Sequence, residues 1–336
     1  LIYFTIYYCR FSFTGYTLSM EYTIKDCFVE FKPKTKLIQT ISSKVHRCFQ
    51  SLEDIAYLTP IDRNDFYWFR CIYQHALEHI DNRIKTGSLT PLDLYNFPKK
   101  CCFPYSTCTA AIFTGSFDPF QMTHLAFILK FLAYDESDTG TVFVIPEGAH
   151  NPLKPHRSNY DYRYKLMSLQ LKNIFYPLIY PLDIGKDADT ITIWKRFIEM
   201  IPCNTFKLTH LLGTDVLPYA IKMLPEDLAV WNEEAEKKHA TFTYRAYVLQ
   251  RNESYEDIRP LLKQLEAMNI EYQYDDKPLK SPSSTDFRSN NVFSIVFPTR
   301  EMLSHMEIVF RYGLHRSWTE QKYPLFLPDI ISEHRD

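Results

Sequence analysis

The chain has 336 residues, 46% of them hydrophobic, enough for one large domain or two small ones with a real core. Its 38 basic and 40 acidic residues nearly cancel, to a net charge of -2, which argues against a nucleic-acid partner. Eight cysteines without a CxxC or zinc spacing read as small buried residues in a reducing cytoplasm.

Residues 1–18 are aromatic and apolar, broken by Arg10, and the first methionine is Met20. They carry no basic n-region or small-residue cleavage site, and are too short and interrupted for a membrane span. Two readings of residues 1–19 stand: a leader translated from upstream of the true start, or an extra N-terminal strand. Residues 44–100 read as helical. Thr59-Pro60 opens a helix with Asp62 and Asp65 near its positive end. Phe69, Ile72, Tyr73, Ala76, Ile80 and Ile84 recur along one face, and Thr86-Gly87 closes it. Residues 89–94 suggest another short helical turn, and 98–105 a linker. The pair His75 and His79, with Glu78, fits a literal H-x-x-E-H zinc pattern. Both histidines lie off the apolar face and no partner carboxylate is identifiable, so no metal is assigned.

From Thr109 the pattern alternates. Strands are expected at 110–113, 141–145, 178–180, 205–212 and 242–249. Helices are expected at 125–133, 160–174, 190–200, 255–268 and 301–312, and residues 292–296 read as a short strand or an extended piece. Strands separated by helices predict a parallel sheet with helices on both faces, and ligands bind beyond the carboxyl ends of such strands. With only eight glycines in the chain, Gly115, Gly148, Gly213 and Gly313 each fall at an expected strand or helix end.

Thr114-Gly115-Ser116-Phe117-Asp118-Pro119 joins a strand to a helix, with His124 at the helix start. Such a junction aims backbone N–H groups and a positive helix end at one spot, which suits a phosphate. Four further segments follow. Residues 146–155, with three prolines and Lys154, make a stiff loop after a strand. Thr190, Thr192 and Trp194 open a helix. Gly213-Thr214-Asp215 ends a strand, with Trp231 sixteen residues on. Ser283-Ser284-Thr285 and Arg288 gather hydroxyls, helix-start N–H groups and a charge.

The first string resembles the nucleotidyltransferase superfamily signature G-x-F-D-P-x-H-x-G-H. Gly115, Phe117, Asp118, Pro119 and His124 match; Gln121 replaces the first His and Thr123 the second Gly. Eukaryotic members also lack both. All five segments occur in the order of the nicotinate or nicotinamide mononucleotide adenylyltransferases, over about residues 108–316. The resemblance implies an α/β, Rossmann-like doubly wound parallel sheet; the first hundred residues, read above as an N-terminal helical extension, have no counterpart in it. The domains expected are a leader at 1–19 that is not native on the first of its two readings, an extension and linker at 20–105, a nucleotidyltransferase domain at 106–318 and a tail at 319–336.

The resemblance further implies adenylyl transfer from ATP, with Mg²⁺, to a pyridine mononucleotide in NAD biosynthesis; the cysteines, the charge balance and the lack of a span add the expectation of a cytoplasmic protein without nucleic acid or membrane. It makes His124, Lys154 and Arg288 catalytic. Thr114, Gly115, Ser116, Phe117, Gln121, Gly213, Asp215, Ser283, Ser284 and Thr285 bind ATP. Thr192, Trp194 and Trp231 bind the mononucleotide, one tryptophan stacking on the pyridine ring. Asp215 accepts from ribose hydroxyls or caps the next helix. Arg163 and Met167 are structural. The alternatives are another nucleotidyltransferase, acting on phosphopantetheine or an alcohol phosphate, or a nucleotide-binding regulator that has lost catalysis.

Overall fold

The computed structural model describes residues 31–53, 60–94, 105–151, 157–251 and 253–279. Two helices come first, α1 (Lys36–Glu53) and α2 (Pro60–Thr86). Strands and helices then alternate: β1 (Thr107–Gly115), α3 (Met122–Tyr134), β2 (Val142–Pro146), α4 (Tyr160–Leu171) and β3 (Ile179–Pro181). The second half adds α5 (Thr190–Met200), β4 (Thr205–Gly213), α6 (Leu217–Lys237), β5 (Thr241–Leu249), α7 (Tyr255–Ala267) and β6 (Glu271–Asp275). The six strands form one sheet in the order β3-β2-β1-β4-β5-β6, with every pair parallel. This is a Rossmann-like doubly wound α/β sheet.

Alternation along the strands explains its two cores. Ala111 and Phe113 of β1 join one core, where α3 and α4 pack, while Cys108, Ala110 and Ile112 join the other, under α5, α6 and α7. The chain lays β1, β2 and β3 outward in one direction, then returns to place β4 on the other side of β1. The sheet therefore reverses between β1 and β4, and in such sheets ligands bind in the crevice beyond the carboxyl ends of the strands at that point.

The N-terminal helices lie on the first core. Ile38, Ile41, Val45 and Phe49 of α1 and Phe69, Tyr73, Ala76, Leu77 and Ile80 of α2 are all buried in it. Asp81 accepts from the backbone N–H of Lys34 at 2.6 Å and of Thr35 at 2.9 Å, holding the entry to α1. The end of α2 is set by Gly87, at φ 75, a conformation that favours glycine.

Residues 89–94 depart from the expected helical turn. Thr90 bridges Thr139, and the Leu92 N–H donates to the Thr141 hydroxyl at 2.8 Å, so this stretch runs extended along the sheet. β6 was not expected from sequence, and α6 only as a helix that Asp215 would cap, without bounds. In α6, Leu217, Ile221, Leu224, Trp231 and Ala235 face inward at helical spacing, although Pro225 lies within the helix. In β6 the side chains are held by polar partners, as in the Lys130–Asp275 ion pair at 2.8 Å. Cys48, Cys108 and Cys203 are free thiols, whereas Cys71 is disulfide-bonded, against the expectation that all stay reduced. No helix among the described residues is long and apolar enough to cross a membrane. Residues 1–19, 283–288, 292–296 and 301–318 lie outside the described residues.

Candidate active site

The turn after β1 is built from buried and half-buried residues in a fixed pattern. Thr114, Gly115, Ser116 and His124 keep part of their surface open, while Phe117, Asp118, Pro119, Phe120 and Gln121 are buried. Phe117 adopts φ 43, in the left-handed region, and turns its ring back on Gly115. A Cβ on Gly115 would lie 3.1 Å from that ring, so glycine here permits a close approach. Asp118 accepts from the Ser158 N–H at 2.8 Å, and Gln170 donates to the Phe120 carbonyl at 3.0 Å.

Gln121 is the N-cap of α3, and His124 stands at N3. The Gln121 backbone N–H donates to Nδ1 of His124 at 3.1 Å. With Nδ1 accepting, a neutral imidazole carries its proton on Nε2. The rings of Phe113, Phe117 and Phe120 surround the imidazole at 6.0, 5.1 and 5.3 Å. Gln121 and Thr123 are 2% and 6% exposed, so both departures from the signature sit inside the packing. The buried side chains of Gln121 and Phe117 shape the turn.

The loop after β2 meets this turn. The Glu147 N–H donates to the Gly115 carbonyl at 2.9 Å, and its carboxylate accepts from the Thr190 hydroxyl at 2.6 Å. The Thr190 and Thr114 hydroxyls are 3.2 Å apart, which links β1, the β2 loop and the start of α5. Gly148 is required by a close approach, since a Cβ there would lie 2.4 Å from the Gly185 carbonyl. Arg157 hydrogen-bonds the Ala149 carbonyl. Burial lowers its pKa, while Glu147 and Asp118 oppose that shift. Lys154 lies outside the described residues.

Arg163 is fully buried on α4. It donates to the carbonyls of Ser158 at 2.9 Å and Glu147 at 2.8 Å, and to that of Ser116. Burial lowers its pKa to about 10, partly opposed by Asp118. The structural role expected for Arg163 is what the geometry shows.

On the other side of the crevice, β4 ends at Gly213, and a Cβ there would lie 2.4 Å from the Asp215 carboxylate. The Asp215 side chain is 42% exposed and pairs with Arg251 at 3.1 Å. Asp215 does not cap α6; that position belongs to Val216. At α5 the N-cap is Asp189, which accepts from the Thr192 N–H at 3.0 Å. Nearby Asp227 is pushed up to about 6 by burial, with Asp189 and Glu226 adding to it.

The two tryptophans are core residues. Trp194 is 0% exposed and Trp231 1%, and they stack on each other with ring centroids 4.5 Å apart. The Trp231 Nε1–H donates to the Ile191 carbonyl at 3.1 Å. Neither offers a ring face to a pyridine, which corrects the stacking role. The reason is the α5 face itself: Ile193, Trp194, Phe197 and Ile198 all turn inward. Ser283, Ser284, Thr285 and Arg288 lie outside the described residues. His75 and His79 stack edge-on at 4.6 Å, and among the described residues no group of three or more His, Cys, Asp or Glu could hold a metal.

Glu147, Arg157, Thr190 and Arg251 were not singled out as site residues from sequence. Arg157 had a signal, since it lies three residues past Lys154 in the same proline-rich loop. Glu147 and Arg251 each follow a strand end within two residues, where carboxyl-edge side chains gather.

No family model matches the chain, and no curated protein matches it. Among solved structures, it is similar to Plasmodium falciparum nicotinic acid mononucleotide adenylyltransferase complexed with APC, at 16% identity and TM-score 0.40 over 63% of this chain and 98% of that chain. A second structure of that protein, complexed with NaAD, gives 17% identity and TM-score 0.42 over the same shares. Likenesses this distant decide neither substrate nor reaction. The chain resembles the nicotinate and nicotinamide mononucleotide adenylyltransferases through its own motifs, Gly115–His124 and Gly213–Asp215.

Proposed function

We propose that the chain transfers the adenylyl group of ATP to nicotinate or nicotinamide mononucleotide, giving the dinucleotide and pyrophosphate in NAD biosynthesis. One observation carries the reading. The signature turn and Gly213–Asp215 end adjacent parallel strands, β1 and β4, at the point where the sheet reverses.

In the proposed reaction an oxygen of the mononucleotide 5′-phosphate bonds to the α-phosphorus of ATP. The bond from that phosphorus to the bridging oxygen breaks, and pyrophosphate leaves. The attacking phosphate is already ionised, so alignment and charge neutralisation suffice. His124 donates from Nε2, the N–H groups at the start of α3 face the phosphates, and Lys154 and Arg288 supply charge from flanking segments. Arg157 adds a cation beside the same turn. Thr114, Gly115 and Ser116 line the ATP phosphates, Asp215 accepts from ribose hydroxyls, and Thr192 lies on the acceptor side. Mg²⁺ bound with ATP would supply further charge neutralisation at the phosphates.

The test is pyrophosphate release from ATP, Mg²⁺ and either mononucleotide, with the dinucleotide identified by chromatography. Tight ATP binding without release from either acceptor would overturn the proposal in favour of a nucleotide-binding regulator.

A further inference from the structure

The start of α3 is held from outside the α/β unit. Tyr73, on α2, is fully buried, and its hydroxyl donates to the Met122 carbonyl at 2.8 Å. Met122 opens α3, between the Gln121 cap and His124. The Tyr73 ring is itself fixed by Phe49 and Phe69, at centroid distances of 5.7 and 6.1 Å. A second tie joins the same two helices at the other end, where Arg83 donates to the Leu132 carbonyl at 2.7 Å. That carbonyl lies in the last turn of α3, where a cation is a common cap.

Other carbonyls of the turn are held by α4: Ser116 by Arg163 and Phe120 by Gln170. Of these three carbonyl ties, that from Tyr73 is the nearest to His124 along the chain. It comes from a segment that lies before β1 and outside the motifs of the resemblance. The Met122 carbonyl direction sets the axis of the first helical turn. That axis fixes both the Gln121 N–H and the imidazole that accepts from it.

We propose that Tyr73 is a positioning residue for the active site, and that the N-terminal helices serve as a brace that aims His124 into the crevice between β1 and β4. The kinetic part of this inference rests on the adenylyl-transfer reading; the positional part does not.

Tyr73→Phe in the full chain tests it, because the ring stays and one hydroxyl goes. Amide hydrogen exchange across residues 121–125 should quicken about fivefold, the factor a lost hydrogen bond typically carries, with none in α7. Turnover should fall by about the same factor while the KM for ATP stays within about twofold, because aim is lost and binding is kept. Arg83→Gln, which cuts the tie at the far end, should lower the melting temperature yet leave kcat within about twofold. Unchanged exchange across 121–125 overturns the brace. An Arg83→Gln loss of kcat equal to that of Tyr73→Phe overturns it too, since general docking would then be the cause. If the wild-type chain transfers no adenylyl group, the function proposed above falls, and the exchange comparison still decides the brace.

Discussion

His124→Ala separates chemistry from folding more sharply than any other single change in the site. The imidazole Nδ1 accepts from the Gln121 N–H at 3.1 Å. The neutral ring then carries its one proton on Nε2, which is the donor the proposed role uses. A donor aimed at charge that develops in the transition state contributes about 3–4 kcal/mol, so its loss should slow turnover by roughly 10²–10³-fold. The structural loss is smaller. Alanine is a good helix former at N3; the Gln121 N–H loses one hydrogen bond, on the order of 1 kcal/mol, and lost packing on Phe113, Phe117 and Phe120 adds about 1–2 kcal/mol. For a chain of this size the melting temperature should then fall by about 4–6 °C. The assay is pyrophosphate release at saturating ATP and mononucleotide, run beside a thermal melt followed by circular dichroism. A turnover loss under about threefold would refute the assigned role, because a transition-state donor is worth far more. A large loss matched by a melting shift of more than about 10 °C would refute the separation of the two effects.

Three other outcomes follow from the same geometry. Gln121 is 2% exposed, so Gln121→His should change kcat/KM by less than about threefold; a larger change with no shift in melting temperature would place its side chain at the substrates. Trp194→Phe should destabilise the fold by about 1–3 kcal/mol in urea melts, through lost packing on Trp231. The KM for the mononucleotide should stay unchanged, and a rise of tenfold or so without destabilisation would restore the stacking role. His210 is buried and neutral, with its pKa pushed down to about 3 by burial. Its folded pKa lies below its ordinary 6.5, so its contribution is complete above pH 6.5 and is lost as pH falls toward 3, by about 1.4 kcal/mol per pH unit. His210→Gln should flatten that slope, and an unchanged slope would assign it to other groups.

The parts of the fold that were legible in sequence are those whose signal is apolar. The limits of α5, Thr190–Met200, agree with expectation because Asp189 caps one end and inward residues recur to the other. The stripe from Phe69 to Ile80 foretold the buried face of α2. α1 starts earlier than expected, since Lys36, Ser42 and Ser43 hide the spacing of Ile38, Ile41 and Val45. β6 reads Glu-Tyr-Gln-Tyr-Asp and has no apolar alternation to see; Arg245, Tyr247 and Lys130 hold it by hydrogen bonds and ion pairs. In the site, the turn was visible because its glycine and Phe-Asp-Pro string are local. The Glu147–Thr190 and Asp215–Arg251 pairs were not, because each joins residues separated by whole strands and helices. Trp194 shows the opposite failure: a motif position suggested a ligand, while its neighbours Ile193, Phe197 and Ile198 already marked a core face.

Arg163 shows why an alignment-driven site keeps an expensive residue. Its pKa falls to about 10 from an ordinary 12.5 because burial disfavours the charge. That shift corresponds to a penalty on the order of 3 kcal/mol. No neutral side chain could replace what it does. The carbonyls of Ser116, Glu147 and Ser158 belong to the turn after β1, the loop after β2 and the approach to α4. One planar fork of N–H donors reaches all of them; a glutamine has too few donors, and a lysine presents its donors from a single point. If the reaction is adenylyl transfer, these loops carry the phosphates, and a misplacement of about 1 Å can slow such a reaction on the order of a hundredfold. A hundredfold in rate is about 2.7 kcal/mol of barrier. The stability given up and the barrier saved are then of the same order. That balance is expected of a charge kept for the geometry of the site.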